Sequence, residues 1–194
     1  MPSRCILSQL TPPGPPAADG RAHHMAPGVV VIMGVAGCGK STLGRAVARR
    51  MNWPMMEGDD FHSDENKARM RAGVPLSDAD REGWLRSLAR ELHEGKRNAV
   101  LTCSALKRAY RDILRAASPG LAFVFLDITE EEALRRISAR AQHFFPPRLV
   151  QSQFEALEAP VNELRVLRLD ASLPVQELLD QTAQWLMESR GQGA

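Results

Sequence analysis

Long apolar runs are missing from this sequence. The longest, Val29 to Met33, is strand-sized, far short of the roughly 18 to 20 residues that span a bilayer. Residues 1–28 also lack the continuous apolar stretch of a secretory signal. Cysteine is scarce: Cys5, Cys38 and Cys103 are irregularly spaced and form no CxxC pair. That excludes a disulfide frame and a zinc site, and the three read as reduced thiols of a cytoplasmic protein. Charge of one sign is scarce too. A formal net charge of +2 argues against a nucleic-acid binder with a broad basic face, but leaves room for Arg and Lys clustered around a small anion.

What is present suffices for one substantial core: 194 residues, 44% of them hydrophobic, point to a single domain. The start is the exception. Pro12, Pro13, Pro15, Pro16, Gly14 and Gly20 fall in a stretch without helical or strand periodicity. Residues 1–27 are therefore expected as a disordered tail ahead of one domain over 28–190. Met25 is an alternative initiator, an expectation that a mature N-terminus mapped upstream of it would overturn.

From Val29 onward short apolar runs alternate with amphipathic stretches. Val29 to Met33 is a β-branched run bounded by glycines, as in a buried parallel strand. A helix follows from about Lys40, with Leu43, Val47 and Met51 at four-residue spacing, then a short strand around Met55 and Met56. Ser77, with Asp80 three residues on, opens a helix whose Trp84, Leu85, Leu88 and Leu92 share a face, and Gly95 stops it. Further strands are expected at Ala99 to Cys103, Leu121 to Leu126 and Val166 to Leu169. Thr129 and Glu132 form a capping box for one more helix, and a closing helix runs from Val175 to about Met187. The alternation implies an α/β fold, a parallel sheet covered on both faces.

Residues 34 to 41, Gly-Val-Ala-Gly-Cys-Gly-Lys-Ser, satisfy GxxxxGK[ST], a P-loop. A loop that wraps a triphosphate must aim successive backbone N–H groups inward, and Gly34, Gly37 and Gly39 permit that path. Lys40 reaches the β- and γ-phosphates as a point charge, and Ser41 supplies a hydroxyl for Mg²⁺. The helix that starts here offers its positive end. Val35, Ala36, Cys38 and Thr42 complete the expected ATP-binding stretch. A strand leading in and an amphipathic helix leading out supply the context the motif demands.

Other P-loop classes fit less well. A guanine switch needs an NKxD-type base reader, and Asn66-Lys67-Ala68-Arg69 lacks the Asp. A Walker-B ATPase needs a strand ending in an acid, whereas the third strand ends Thr102-Cys103-Ser104. Small-molecule kinases place carboxylates after the second strand, where Glu57, Asp59 and Asp60 stand.

Six blocks in register resemble the gluconokinases. They are Met33 to Thr42; Gly58-Asp-Asp-Phe-His62 with Asn66; Gly73 to Arg81 with Trp84; Cys103-Ser-Ala-Leu-Lys107 with Tyr110-Arg111; His143-Phe-Phe-Pro-Pro147; and Gln151 to Glu158 with Pro160. Together they cover roughly Gly28 to Leu186. The departures are Cys38 where the family usually has Ser, Glu57 where Asp is frequent, and Ser77 where Asn is common.

The resemblance implies a nucleoside-monophosphate-kinase-like domain with a five-stranded parallel sheet. A substrate-covering region over about 62–96 and a mobile lid over about 140–150 go with it. It implies transfer of phosphate from ATP, with Mg²⁺, to the 6-hydroxyl of D-gluconate, in a homodimer that engages neither nucleic acid nor membrane. Asp59 becomes the base or the ligand of a Mg²⁺-bound water, with Asp60 able to exchange roles. His62 is a polyol contact, and Arg81 the anchor for the gluconate carboxylate, with Lys107 and Arg111 as alternatives. Arg140 is the lid arginine on the transferring phosphoryl group, with Arg136 as alternate. Asp170 to Pro174 resembles an adenine-holding segment. The competing readings are a shikimate-kinase-like enzyme, disfavoured by Cys103-Ser104-Ala105 where a glycine cluster is usual, and a nucleotide-binding regulator without transfer.

Overall fold

The computed structural model describes residues 28–95, 98–139 and 146–191. Five strands, β1 (Val29–Met33), β2 (Met55–Glu57), β3 (Ala99–Thr102), β4 (Ala122–Asp127) and β5 (Val166–Asp170), form one sheet in the order β2-β3-β1-β4-β5. All pairings are parallel. Among the described residues seven helices cover it: α1 (Lys40–Met51), α2 (Asp64–Arg71), α3 (Asp78–Glu94), α4 (Arg108–Ala117), α5 (Glu130–Ser138), α6 (Pro147–Ala156) and α7 (Val175–Gly191). A 3-10 turn, Gly58–Phe61, links β2 to α2.

Alternation along β1 sorts its side chains between two cores, because successive residues of a strand face opposite ways. Val30 and Ile32 pack with Leu43 and Val47 of α1, Ile137 of α5 and Leu186 of α7. Val29, Val31 and Met33 pack with Trp84, Leu85 and Leu88 of α3 and Leu114 of α4. Every β1 residue is buried, and each such side chain contributes up to about 1.5–3 kcal/mol by leaving water.

The expected strands are all present, within a residue or two of their expected ends. Lys40 opens α1 and Gly95 closes α3, and Ser77 with Asp80 makes both hydrogen bonds of a capping box. At α5 only half of the expected box forms. Thr129 Oγ1 accepts from the Glu132 N–H, but the Glu132 carboxylate turns to Arg135 and Arg136. Two guanidinium groups are the stronger partners, and they hold that carboxyl down at about 2. The tail expected over 1–27 lies outside the described residues, as do 140–145 of the lid; residues 147–150 form the first turn of α6.

Candidate active site

The P-loop leaves the C-terminal end of β1, where ligands gather in open parallel sheets. Its path needs glycine. Gly34 sits at φ +139°, and a Cβ there would lie 2.8 Å from the Leu126 carbonyl oxygen and 2.9 Å from Cys38 Sγ. Gly39, the N-cap of α1, is left-handed at φ 101° and caps no N–H through a side chain. The first turn of α1 also carries no acidic residue. The helix therefore presents uncapped amides and its positive end to an anion. Lys40 Nζ donates to the Gly34 and Val35 carbonyl oxygens at 3.0 and 2.9 Å, inside the loop that is to receive phosphate.

Beside the loop, Glu57 closes β2. Parallel register sets it next to Thr102 of β3, whose Oγ1 donates to Glu57 Oε2. Ser41 Oγ donates to the same oxygen at 3.0 Å, and Arg45 Nη1 reaches Oε1 at 3.3 Å. A hydroxyl at the helix start with a carboxylate touching it is the hard oxygen set that suits Mg²⁺.

A cleft of about 910 Å³ runs from Ala36, Gly37, Gly39, Lys40, Ser41 and Thr42 to Asp59, His62, Arg81 and Ser104. Asp59 faces the cleft from the 3-10 turn, while Asp60 does not line it and gives its carbonyl oxygen to Lys67 Nζ. Trp84 Nε1 donates to the Gly58 carbonyl oxygen at 2.7 Å, fixing the residue before Asp59. His62 stacks on that indole, ring centroids 4.3 Å apart. Burial lowers the His62 pKa, against the opposing pull of Asp59, so the ring is neutral near pH 7. Arg81 lines the cleft with Nη1 held on the Leu76 carbonyl oxygen at 2.6 Å.

A second, smaller hollow of about 350 Å³ opens on the other side of the loop, between Gly37 to Gly39 and Arg136, Ala171 and Leu173. Arg136 is fixed there by Glu132 and by the Ala171 carbonyl oxygen.

Comparison with known proteins agrees with this geometry. A family model described as an AAA domain matches residues 29–164. The thermosensitive gluconokinase of Escherichia coli is 39% identical over 164 residues, 82% of this chain and 88% of that protein. The gluconokinase of Gluconobacter oxydans is 41% identical, over 74% of this chain and 82% of that protein. A crystal structure of a gluconokinase from Sinorhizobium meliloti superposes with a TM-score of 0.80 at 41% identity, covering 87% of this chain and 96% of that one. The chain belongs to the gluconokinases. Likeness to the shikimate kinase of Bacteroides thetaiotaomicron, TM-score 0.61 at 18% identity, extends to the fold alone.

Not every residue expected in this gluconokinase site is found there. Arg111 is fully buried: Nη1 donates to the Ala105 and Leu106 carbonyl oxygens, Nη2 to Glu158 O, and Nε to Glu163. All its donors are engaged away from the cleft, so it is not a carboxylate anchor. Lys107 is bound through both oxygens of Asp78 at 2.8 Å and does not line the cleft. Arg140 lies outside the described residues. Conversely, in sequence Glu57 is one acid of a group, and its contact with Ser41 comes only from the fold. The family's preference for Asp at that position was the available signal. Gln153, within the Gln151 to Glu158 block, accepts at Oε1 from the Ala36 N–H at 2.7 Å, a contact that the sequence spacing does not signal.

Proposed function

We propose that this chain transfers the γ-phosphoryl group of ATP to the 6-hydroxyl of D-gluconate. The supporting observation is a single cleft holding the P-loop at one end and Asp59, His62 and Arg81 at the other. The 6-hydroxyl oxygen forms a bond to Pγ as the bond from Pγ to the β–γ bridging oxygen breaks. ADP leaves with that electron pair, and the hydroxyl proton passes to Asp59.

Lys40 leaves the Gly34 and Val35 carbonyl oxygens for the phosphates, where charge outweighs two neutral acceptors. The P-loop over Gly34 to Thr42 wraps the phosphates, with the Ala36 N–H kept by Gln153, and Arg140 is the lid arginine for the transferring group. Ser41, with Glu57 beside it, would hold Mg²⁺, which would supply charge neutralisation for the phosphates. Among the described residues no cluster of His, Cys, Asp and Glu is arranged to hold a metal by itself. That suits an ion bound largely by nucleotide and water. Of Arg81, Lys107 and Arg111, Arg81 faces the cleft and takes the gluconate carboxylate, with neutral His62 on the polyol. The hollow beside Arg136 and Ala171 takes adenine. Resemblance to the gluconokinases supports a cytoplasmic enzyme that works as a homodimer, and light scattering on the purified chain tests the dimer.

The decisive experiment is an ADP-release assay with MgATP and D-gluconate, shikimate, glycerate or nucleoside monophosphates as acceptor. Turnover dependent on gluconate is expected. Turnover with another acceptor alone would keep the kinase and replace its substrate.

A further inference from the structure

Gln153 sits in α6, a helix anchored at both ends. At its start Arg148 Nη2 donates to the Ala72 carbonyl oxygen at 2.6 Å. Just past its end the Glu158 N–H donates to Leu106 O at 2.9 Å, and Glu158 Oε2 accepts from the Arg108 N–H at 2.7 Å. Between them Val150 is wholly buried. A side chain on such a helix is held in place by its scaffold, as chemistry at a reacting centre requires.

The bond to Ala36 also orients the carboxamide. A backbone N–H needs an acceptor, so Oε1 faces the loop, and the two Nε2 hydrogens lie on the other branch of the same planar group. Position along the nucleotide follows from the two hollows. Gly37 and Gly39 line both, whereas Ala36 and Gln153 line only the one that holds Asp59 and Arg81. A nucleotide whose base lies beside Ala171 crosses Gly37 to Gly39 with its inner phosphates. Only its terminal phosphoryl then comes level with Ala36.

We propose that Gln153 is a further catalytic residue of the transfer, donating from Nε2 to oxygens of the γ-phosphoryl group while Ala36 holds its Oε1. This rests on the phosphotransfer reading above. A neutral donor fixed on the acceptor side stabilises charge spread over those oxygens as the transferring group moves between partners.

The test uses the full chain with Gln153→Ala and Gln153→Glu. Dissociation constants are measured for MgADP and for the Mg complex of the β,γ-imido analogue of ATP, beside kcat and the KM for gluconate. Gln153→Ala is expected to leave ADP binding within about twofold and to weaken the analogue about tenfold, as for a lost bond to a charged group. Its kcat falls about a hundredfold. Gln153→Glu keeps an acceptor for Ala36 and so keeps the wild-type melting temperature, yet loses the donor and falls at least as far in analogue affinity and kcat. Wild-type kcat and analogue affinity in Gln153→Glu would overturn the proposal and leave Gln153 a brace for α6. Equal weakening of ADP and analogue in both variants would overturn it too, because the whole loop has then moved. Should the wild type fail to phosphorylate gluconate, the substrate reading falls, while the ratio of analogue to ADP affinity still judges Gln153.

Discussion

His62 lies against Trp84, 15° from parallel, and its Nδ1 has no hydrogen-bond partner among the described residues. Burial lowers its pKa below the usual histidine value, with Arg81 and Lys67 adding to the effect and Asp59 opposing it. The unfolded chain therefore takes up a proton before the folded one. Stability from this residue is complete above the unfolded value near about 6.5 and is lost as pH falls through the folded one. Melting temperature is expected to fall as pH drops below about 6.5, and His62→Phe, which keeps the stack, is expected to flatten that slope. An unchanged slope in the variant would show that the histidine does not titrate in this window. Catalytically the same variant is expected to raise the KM for gluconate more than the KM for ATP. The position of His62 beside the acidic pair was legible in the sequence. Its burial was not, because the stacking partner is 22 residues away and meets it only through the fold (84 − 62). Cys103 is a second residue whose chemistry burial decides. Desolvation pushes its thiol up to about 12, so a thiol reagent is expected to label it only on unfolding.

At the scale of elements, the strands and α1, α3 and α7 could be read from apolar period and caps. Helices α2, α4 and α6 could not be delimited, because their polar faces carry functional and tertiary contacts in place of simple solvated charge. Helix α6 shows the difference. Pro147 at its first turn and the spacing of Leu149, Val150 and Phe154 are helix signals, but the double proline reads equally as a stiff lid. Helix α4 shows it again through Arg111, which looked like a free cation just past a strand end. It is instead the tie between α4, the β3–α4 loop and the segment after α6. Ala105, left-handed at φ 44° without being glycine, gives its carbonyl oxygen to Arg111. Glu163, though burial opposes its charge, is held ionised by Arg111 and Arg115. Removing one partner of a buried pair leaves the other uncompensated, so Arg111→Ala is expected to cost about 3–5 kcal/mol. That corresponds to a melting temperature lower by on the order of 10 °C. The KM for gluconate of the folded remainder should stay near that of the wild type. A large rise in that KM with the melting temperature preserved would return Arg111 to the role of carboxylate anchor.

For the whole molecule, the sheet order places β1 between β3 and β4, so the P-loop emerges with a hollow on each side and couples them. Lys40 belongs to both states of this arrangement. Its Nζ rests on the Gly34 and Val35 carbonyl oxygens and helps to hold the loop closed on itself. In the proposed function those two bonds are exchanged for contacts with phosphate, between opposite charges. The exchange predicts a dissociation that a purely structural lysine would not show. Lys40→Ala loses only two part-buried bonds to neutral acceptors, each worth about 0.5–1.5 kcal/mol net, so the free protein is expected to melt within a few degrees of the wild type. Saturating MgATP, by contrast, stabilises the wild type by RT ln(1 + [L]/Kd), about 2.7 kcal/mol at a hundredfold excess over Kd, and this gain should largely vanish in the variant together with phosphoryl transfer. Gluconate alone should shift both proteins alike, because Asp59, His62 and Arg81 do not touch Lys40 through any bond described above. A thermal-shift series with each ligand separately reads all three expectations. Retained stabilisation by MgATP in Lys40→Ala would remove the lysine from the phosphate site, and loss of the gluconate shift would mean that the two ends of the cleft are one cooperative unit.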